Sequence, residues 1–259
     1  MDKKLIVANW KMNPESLARA QALFTGVKVV AQKLKNVDVV ICAPSVYVFP
    51  LKKLESSKII LGTQNVSSEI DGAFTGQISA GMQKSVGVNY TIVGHSECRS
   101  LGETDEMIAK KVSLLLKNNI TPILCVGESE RDNSSSYLAF VKHQLLASLA
   151  GIPKASIKKI VIAYEPVWAL SSTVNRHDAT PADSHEMALY IRKMLADMTD
   201  PKTAHSIKIL YGGSVNKNNA KNFLLNGGVN GMLVGKASLS VKDFGKIIMD
   251  GNNTNVAIK

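Results

Sequence analysis

The sequence has few of the features that mark extracellular, membrane or nucleic-acid-binding proteins. Its three cysteines, Cys42, Cys98 and Cys125, are odd in number and far apart, which excludes a disulfide framework and indicates no Cys/His metal site. No apolar run approaches the roughly 18 residues of a membrane span, and residues 1–8 lack the apolar region and cleavage site of a signal peptide. No basic run is interleaved with aromatic residues, so nucleic-acid binding is not expected. The sequence predicts a cytoplasmic protein, in a reducing compartment, with neither membrane nor metal attachment.

Acidic residues are also scarce, with 21 Asp and Glu against 31 Lys and Arg and a net charge of +10. This excess either attracts an anionic substrate or reflects lysines scattered over the surface. Hydrophobic residues make up 45% of the 259 residues, enough for a sizeable core. That length suits one large domain or two small ones. Because no linker or low-complexity segment divides the chain, we expect a single domain over residues 1–259.

Apolar, β-prone runs recur along the whole chain and alternate with amphipathic stretches. Eight runs predict strands: Leu5–Asn9, Val37–Cys42, Ile59–Gln64, Tyr90–Gly94, Pro122–Val126, Ile160–Tyr164, Ile207–Tyr211 and Gly231–Val234. Eight stretches predict helices: Glu15–Leu34, Tyr47–Leu54, Ile78–Val86, Asp105–Lys117, Tyr137–Leu149, Ala182–Met198, Asn219–Leu225 and Val241–Met249.

This alternation predicts the α/β class, with a parallel sheet and right-handed crossovers. Eight βα units in this length fit a closed (β/α)8 barrel. An open doubly wound sheet is less consistent, because no Gly-rich dinucleotide turn follows the first strand, which runs into Asn9-Trp10-Lys11. The polar tail from Gly251 to Lys259 is expected to fray.

The stretch from Val161 to Pro181 begins with a predicted buried strand that ends on a carboxylate, Glu165. Pro166 prevents a helix from starting there, and a helix is predicted to begin at Thr180-Pro181 after a long polar loop. An acid at the carboxyl end of such a strand is where a parallel α/β protein carries its chemistry. A solvated loop carboxylate is the alternative.

Other polar and glycine residues also follow the predicted strands: Asn9, Lys11, Pro44, Gln64, Asn65, His95, Ser96, Glu97, Glu128, Gly212-Gly213-Ser214 and Gly235-Lys236. Glycine turns expose backbone N–H groups that can hold a phosphate dianion. Glu165 could then be a base, His95 an electrophile and Lys11 a fixed positive charge. Each of these residues has an ordinary structural interpretation when taken alone, but together on the strand ends they predict a site for a small anionic substrate.

At these positions the sequence resembles the triosephosphate isomerase family, over about Leu5 to Ile248. The motifs that carry the resemblance are Asn9-Trp10-Lys11-Met12-Asn13, Gln64-Asn65-Val66-Ser67, Gly72-Ala73-Phe74-Thr75-Gly76, Gly94-His95-Ser96-Glu97, Cys125-Val126-Gly127-Glu128, Tyr164-Glu165-Pro166-Val167-Trp168-Ala169 and Tyr211-Gly212-Gly213-Ser214-Val215.

The resemblance implies a TIM barrel that interconverts dihydroxyacetone phosphate and glyceraldehyde 3-phosphate, in glycolysis and gluconeogenesis, without a cofactor. Glu165 would take a proton from the carbon beside the carbonyl, and neutral His95 would polarise the carbonyl oxygen. Lys11 would stabilise the enediolate and the phosphate, and Asn9 would help as an amide donor. The residues expected to bind phosphate are Ser171, Ser172, Gly213, Ser214, Gly235 and Lys236. Those expected to support the site from behind are Ser96, Glu97, Glu128, Trp168 and Tyr211, with Glu97 paired to Lys11.

The sequence departs from the family in the lid that follows the sixth strand. The family's lid is rich in glycine, whereas Leu170 to Pro181 is three residues longer and contains none. We expect the hinge, Pro166-Val167-Trp168, to be retained and a backbone N–H within Ser171–Thr173 to replace the family's glycine donor. The other lid residues singled out are Asn175, whose side chain is expected to bond local backbone, Arg176, for which phosphate and surface positions both stay open, and Ala179.

Three further departures lie outside the lid. Cys98 stands where the family has an arginine, so a structural ion pair is expected to be missing. Lys236 replaces a glycine after the eighth strand, which requires a backbone conformation open to other residues. The segment Glu130–Ser136 is rich in serine and unlike the family.

The resemblance also implies a homodimer, in which the loop Gly72–Gly76 would bring Thr75 to the partner's active site. A free surface loop is the alternative. Two other functions stay open from the residues alone: a phosphosugar aldolase that uses Lys11 as a Schiff base, and a binding protein that has lost turnover through its altered lid.

Overall fold

A computed structural model of the chain describes residues 3–131, 135–170 and 177–254. Its eight parallel strands form a closed barrel in which each strand pairs with the next and the first pairs with the last. The strands are β1 (Lys4–Asn9), β2 (Val37–Cys42), β3 (Ile59–Thr63), β4 (Tyr90–Val93), β5 (Thr121–Val126), β6 (Val161–Tyr164), β7 (Ile209–Tyr211) and β8 (Gly231–Val234). The predicted (β/α)8 barrel is confirmed, with strand ends displaced by two residues or fewer.

Helices follow the strands and cover the outside of the barrel. They are α1 (Leu17–Ala31), α2 (Ser45–Lys52), α3 (Ala80–Ser85), α4 (Ser96–Ser100), α5 (Asp105–Lys117), α6 (Ser136–Ser148), α7 (Lys154–Ile157), α8 (Pro181–Met198), α9 (Pro201–Ser206), α10 (Ala220–Asn226) and α11 (Val241–Thr254). Two 3₁₀ helices, Val167–Ala169 and Lys236–Leu239, follow β6 and β8. None of the described helices combines the length and apolar composition that a membrane span requires.

Two short helices, α7 and α9, were not expected from the sequence because neither carries a full amphipathic period. The signal for α9 was present nonetheless. Asp200 caps it by accepting a hydrogen bond from the Thr203 N–H, and Pro201 occupies its first turn, a combination typical of helix starts.

The core has two parts because successive side chains of a strand point to opposite faces. One set fills the barrel interior: Leu5, Val7, Val40, Cys42, Ile92, Ile123, Cys125, Val161, Ala163, Leu210 and Leu233. The alternate residues point outward and pack against the helices. The interior is therefore closed by side chains, and space for a ligand is left only beyond the strand ends.

The expected fraying of the tail is wrong for its first four residues. Helix α11 continues to Thr254, and both Gly251 and Thr254 are buried. A Cβ at Gly251 would lie 3.2 Å from Cγ1 of Ile6, so the helix packs closely against β1 at this glycine. Residues 255–259 lie outside the described part of the chain.

The predicted start of α8 is confirmed in detail. The Thr180 hydroxyl accepts from the Asp183 N–H while the Asp183 carboxylate accepts from the Thr180 N–H, and Pro181 follows the cap. This reciprocal capping fixes the point at which the loop after β6 ends.

Candidate active site

A cavity of about 760 Å³ opens at the carboxyl ends of the strands, within the size range of small-molecule sites. It is lined by Asn9, Lys11, His95, Glu165, Leu170, Gly212, Gly213, Ser214, Val215, Asn216, Leu233, Gly235, Lys236, Ala237, Leu239, Ser240 and Asp243. All four residues predicted to be catalytic, and four of those predicted to bind phosphate, therefore share one cavity.

Glu165 is held at the floor of this cavity with 2% of its surface exposed. Its Oε2 accepts a hydrogen bond from the Ser96 N–H at 3.2 Å, and its Oε1 lies 3.1 Å from His95 Nε2. Two glycines make room for it. A Cβ at Gly212 would lie 2.9 Å from Glu165 Cγ, and one at Gly127 would overlap the Glu165 carbonyl at 1.8 Å.

His95 has a defined tautomer because of its place at the start of α4. It is the N-cap residue, and its Nδ1 accepts a hydrogen bond from the Glu97 N–H at 3.1 Å. A nitrogen that accepts cannot also carry a proton, so in the neutral ring the hydrogen is on Nε2, which points toward Glu165. The expected helical turn after His95 is confirmed by α4.

Lys11 and Asn9 leave β1 in a constrained turn. Lys11 has φ of 53°, an unusual conformation for a residue with a side chain, and its N–H donates to Asn9 Oδ1 at 3.0 Å. The predicted ion pair is present, since Lys11 Nζ lies 2.5 Å from Glu97 Oε1. A non-glycine residue in the left-handed region stores strain that is commonly found at functional sites.

Glu128 lies behind the cavity and joins β5 to the loop after β6. Its Oε1 accepts hydrogen bonds from the Tyr164 hydroxyl and from Trp168 Nε1, both at 2.8 Å. Burial raises the pKa of the Glu128 carboxyl, although these hydrogen bonds act in the opposite direction. Tyr211, also expected to support the site, stacks on Phe223 with ring centroids 4.0 Å apart.

Glycine turns after β7 and β8 also line the cavity. Gly213 lies directly over the Tyr211 hydroxyl, from which a Cβ would be only 2.3 Å away. Gly235 has φ of −84° and precedes the 3₁₀ helix that begins at Lys236. Within the described residues, side-chain-bearing positions with positive φ are Lys11, Asn119 and Ser135, so Lys236 fits its backbone without left-handed strain.

The residues predicted for the lid fall into two groups. Pro166, Val167 and Trp168, the predicted hinge, lead out of β6 into a 3₁₀ helix, and Ala179 packs against the core just before α8. Ser171, Ser172, Thr173, Asn175 and Arg176 lie outside the described residues, so their predicted contacts with phosphate stay predictions. Thr75 is exposed and does not line the cavity.

The loss of an arginine at Cys98 leaves other ion pairs in this segment in place. Cys98 is uncharged, but its neighbour Arg99 pairs with Asp105 at 2.6 Å and donates to the Gly94 carbonyl at 2.7 Å. Lys111 and Glu103 form a second ion pair in the same region. The segment therefore retains its charged anchors despite the substitution at Cys98.

Sequence analysis missed Arg131, which packs behind the hinge. Its guanidinium lies 4.7 Å from the Tyr137 ring centroid and 5.9 Å from that of Trp168, and it pairs with Asp183 and Glu186 of α8. It stands more than 50 residues from Asp183 in the chain, so no local pattern could reveal these contacts. In the described part of the chain, no three His, Cys, Asp or Glu residues are grouped to hold a metal ion.

Comparison with known proteins agrees with this geometry. The sequence model of the triosephosphate isomerase family matches residues 4–250. The triosephosphate isomerase of Cytophaga hutchinsonii is 41% identical over 248 residues, covering 94% of this chain and 97% of that protein. Those of Ruthia magnifica and Aquifex aeolicus are also 41% identical, covering 97% and 95% of this chain and 100% and 98% of their own lengths. The chain belongs to the triosephosphate isomerase family.

Proposed function

We propose that the chain interconverts dihydroxyacetone phosphate and D-glyceraldehyde 3-phosphate through an enediolate, as an isomerase of glycolysis and gluconeogenesis that needs no cofactor. Family membership over nearly the whole chain supports this activity. The observation that assigns this activity to the cavity is the contact between Glu165 Oε1 and His95 Nε2, 3.1 Å apart. Both residues line the same cavity as the glycine turns.

Glu165 is the base in this proposal. Its carboxylate removes a proton from the carbon next to the carbonyl, and the electron pair moves onto the carbonyl oxygen. The proton of the neighbouring hydroxyl then moves to that oxygen, and the proton held by Glu165 is delivered to the former carbonyl carbon while the other oxygen becomes the new carbonyl. A side chain that is 2% exposed is largely shielded from water, which favours a carboxylate acting as a base on carbon. In the described structure its Oε2 is engaged by the Ser96 N–H, and a modest rotation would release it toward a substrate.

His95 and Lys11 stabilise the oxygen on which negative charge develops. The Nε2–H of neutral His95 now faces Glu165 and would turn to the substrate oxygen, because Glu97 N–H occupies Nδ1. Lys11 supplies a fixed positive charge, with Asn9 as a further donor. The ion pair with Glu97 occupies the amine of Lys11, which disfavours the Schiff-base aldolase.

The phosphate binds at the glycine turns after β7 and β8 in this proposal. Backbone N–H groups at Gly213, Ser214, Gly235 and Lys236 donate to it in this proposal, as glycine turns do in other phosphate sites. The 3₁₀ helix that begins at Lys236 directs its amino end toward the cavity, which supports the assignment.

The working unit is a cytoplasmic homodimer in this proposal. Residues 71–77 are exposed, and large apolar side chains stand exposed in and near the loop, including Ile70 at 69%, Phe74 at 47% and Met82 at 60%. An exposed apolar group of this kind marks an interaction surface. The three free cysteines are consistent with a reducing compartment.

A coupled isomerase assay with Glu165→Asp as the control tests the function. The wild type should isomerise both triose phosphates, and the shorter side chain should lower kcat on the order of 100-fold by withdrawing the carboxylate. Equal rates for the two proteins would refute the role of Glu165. Phosphate binding by the wild type without turnover would favour the binding-protein alternative, and borohydride trapping of an imine on Lys11 would favour the aldolase.

A further inference from the structure

Lys236 lines the cavity with a charged side chain whose ammonium group has no role in the proposed function. It follows β8, is exposed, and lines both the main cavity and a smaller annex of about 140 Å³. The annex is bounded by Asn9, Trp10, Lys11, Asn13, Gly235, Lys236 and Leu239. Sequence analysis assigned Lys236 only a backbone N–H, a role that any residue can fill.

The other charged side chains of the cavity already have partners among the described residues. Lys11 is paired with Glu97 at 2.5 Å, and Asp243 is paired with Lys217 at 2.9 Å. Glu165 is engaged by Ser96 and His95. Lys236 makes no hydrogen bond or ion pair within the described part of the chain, so its ammonium is available to a ligand.

The charges around the cavity indicate that a further cation would favour phosphate binding. Without Lys236, the charged lining residues and their ion-pair partners comprise two cations, Lys11 and Lys217, and three anions, Glu97, Glu165 and Asp243. The site would then carry a net negative charge while receiving a phosphate dianion, which costs binding free energy. Lys236 neutralises that excess.

We propose that the Lys236 ammonium is a direct ligand of the substrate phosphate and determines the affinity of this site for dianions. This rests on the proposed function and adds a second side-chain cation, besides Lys11, to the backbone donors. The position tolerates a side chain because Lys236 lacks left-handed φ. Gly235 keeps the approach open, since even a Cβ there would meet only Lys11 Cε, at 3.5 Å.

Lys236→Met tests the proposal because it keeps the aliphatic stem and removes only the charge. KM for triose phosphate and the inhibition constant of inorganic phosphate should both rise about tenfold, the effect typical of one hydrogen bond to a charged group. The loss should fall mainly on KM rather than on kcat, since a contact made equally with bound substrate and transition state raises KM without lowering kcat. Lys236→Arg should recover most of the affinity.

Two controls separate binding from general effects. Lys202→Met removes one positive charge from exposed α9, far from the cavity, and should change neither constant. Isomerisation of glyceraldehyde, which has no phosphate, should lose less in Lys236→Met than isomerisation of triose phosphate does. Unchanged constants in Lys236→Met, or an equal loss with glyceraldehyde, would overturn the proposal.

The phosphate-ligand role of Lys236 can be tested separately from the proposed isomerase activity. If the wild type did not isomerise triose phosphates, titration calorimetry with inorganic phosphate would still compare the wild type with Lys236→Met. Weaker binding of phosphate by the variant would support the ligand role even then, and equal binding would refute it.

Discussion

Gly212 sets the position of the base through the space that it leaves. It follows β7, and its N–H donates to the Tyr164 carbonyl at 2.8 Å, which brings its Cα against the side chain of Glu165. Because its φ is not in the left-handed region, the requirement for glycine here is steric rather than conformational. A methyl group would compete with Glu165 Cγ for the same volume.

Gly212→Ala should therefore lower kcat with little loss of fold. The added Cβ would lie 2.9 Å from Glu165 Cγ, and the displaced carboxylate should cost roughly tenfold to 100-fold in rate. Steady-state kinetics and a thermal melt measure the two effects. Gly81→Ala, in exposed α3 with its nearest atom 3.7 Å away, is the matched control and should leave kcat unchanged. Full activity of Gly212→Ala would show that neighbouring atoms shift to accommodate the methyl group without displacing the carboxylate of Glu165.

Glu128 gives the stability of the protein a definite pH dependence. Its folded pKa is raised by burial, so the folded state holds this proton more tightly than the unfolded state does. Stability contributed by this group is thus greatest below its ordinary pKa and falls as pH rises through the raised value.

In Glu128→Gln that pH-dependent contribution should disappear. Glutamine can still accept from Tyr164 and Trp168 through its carbonyl oxygen. Urea unfolding from about pH 4 to 7 should show the variant gaining stability relative to wild type as pH rises. A difference that is constant with pH, or that moves in the other direction, would contradict the assignment.

At the scale of elements, Arg131 joins three parts of the chain behind the hinge. It contacts Tyr137 on α6, Trp168 in the 3₁₀ helix after β6, and Asp183 and Glu186 on α8. Asp183 also caps α8 through Thr180. One guanidinium thereby fixes the described residues on both sides of the loop after β6.

Arg131→Met should destabilise the fold by about 1–2 kcal/mol, because it removes a largely buried cation and leaves its carboxylate partners without it. Arg19→Met is the matched control, since its ion pair with Glu15 is exposed and should contribute almost nothing. Chemical unfolding followed by tryptophan fluorescence measures both variants. Equal, small effects would show that the Arg131 contacts are not stabilising.

At the scale of the molecule, the exposed loop that contains Thr75 predicts self-association. Thr75→Arg should weaken the dimer and lower activity in dilute solution, because a charge would be forced into a packed interface beside Lys11. Ala155→Arg, on exposed α7 before β6, introduces the same charge away from this loop and should have no effect. Sedimentation and activity at several concentrations test this, and a fully active wild-type monomer would refute it.

Sequence periodicity alone determined the fold and the location of the chemistry. Eight apolar runs alternating with amphipathic stretches leave few topologies besides a closed parallel barrel, because crossovers are right-handed and sequential strands pair. The same order places Asn9, Lys11, His95 and Glu165 at strand ends. The motifs around them were sufficient to predict the family, since each is local in the chain.

Only the tertiary structure decided how those groups are set against one another. The engagement of Glu165 by Ser96, the tautomer of His95, the clamp at Arg131 and the unpaired ammonium of Lys236 all depend on residues that are distant in sequence. Local propensity carries no information on such contacts. They arise when barrel closure brings the loops of different strands to one end, where burial and charge balance fix which polar groups pair and which are left for a ligand.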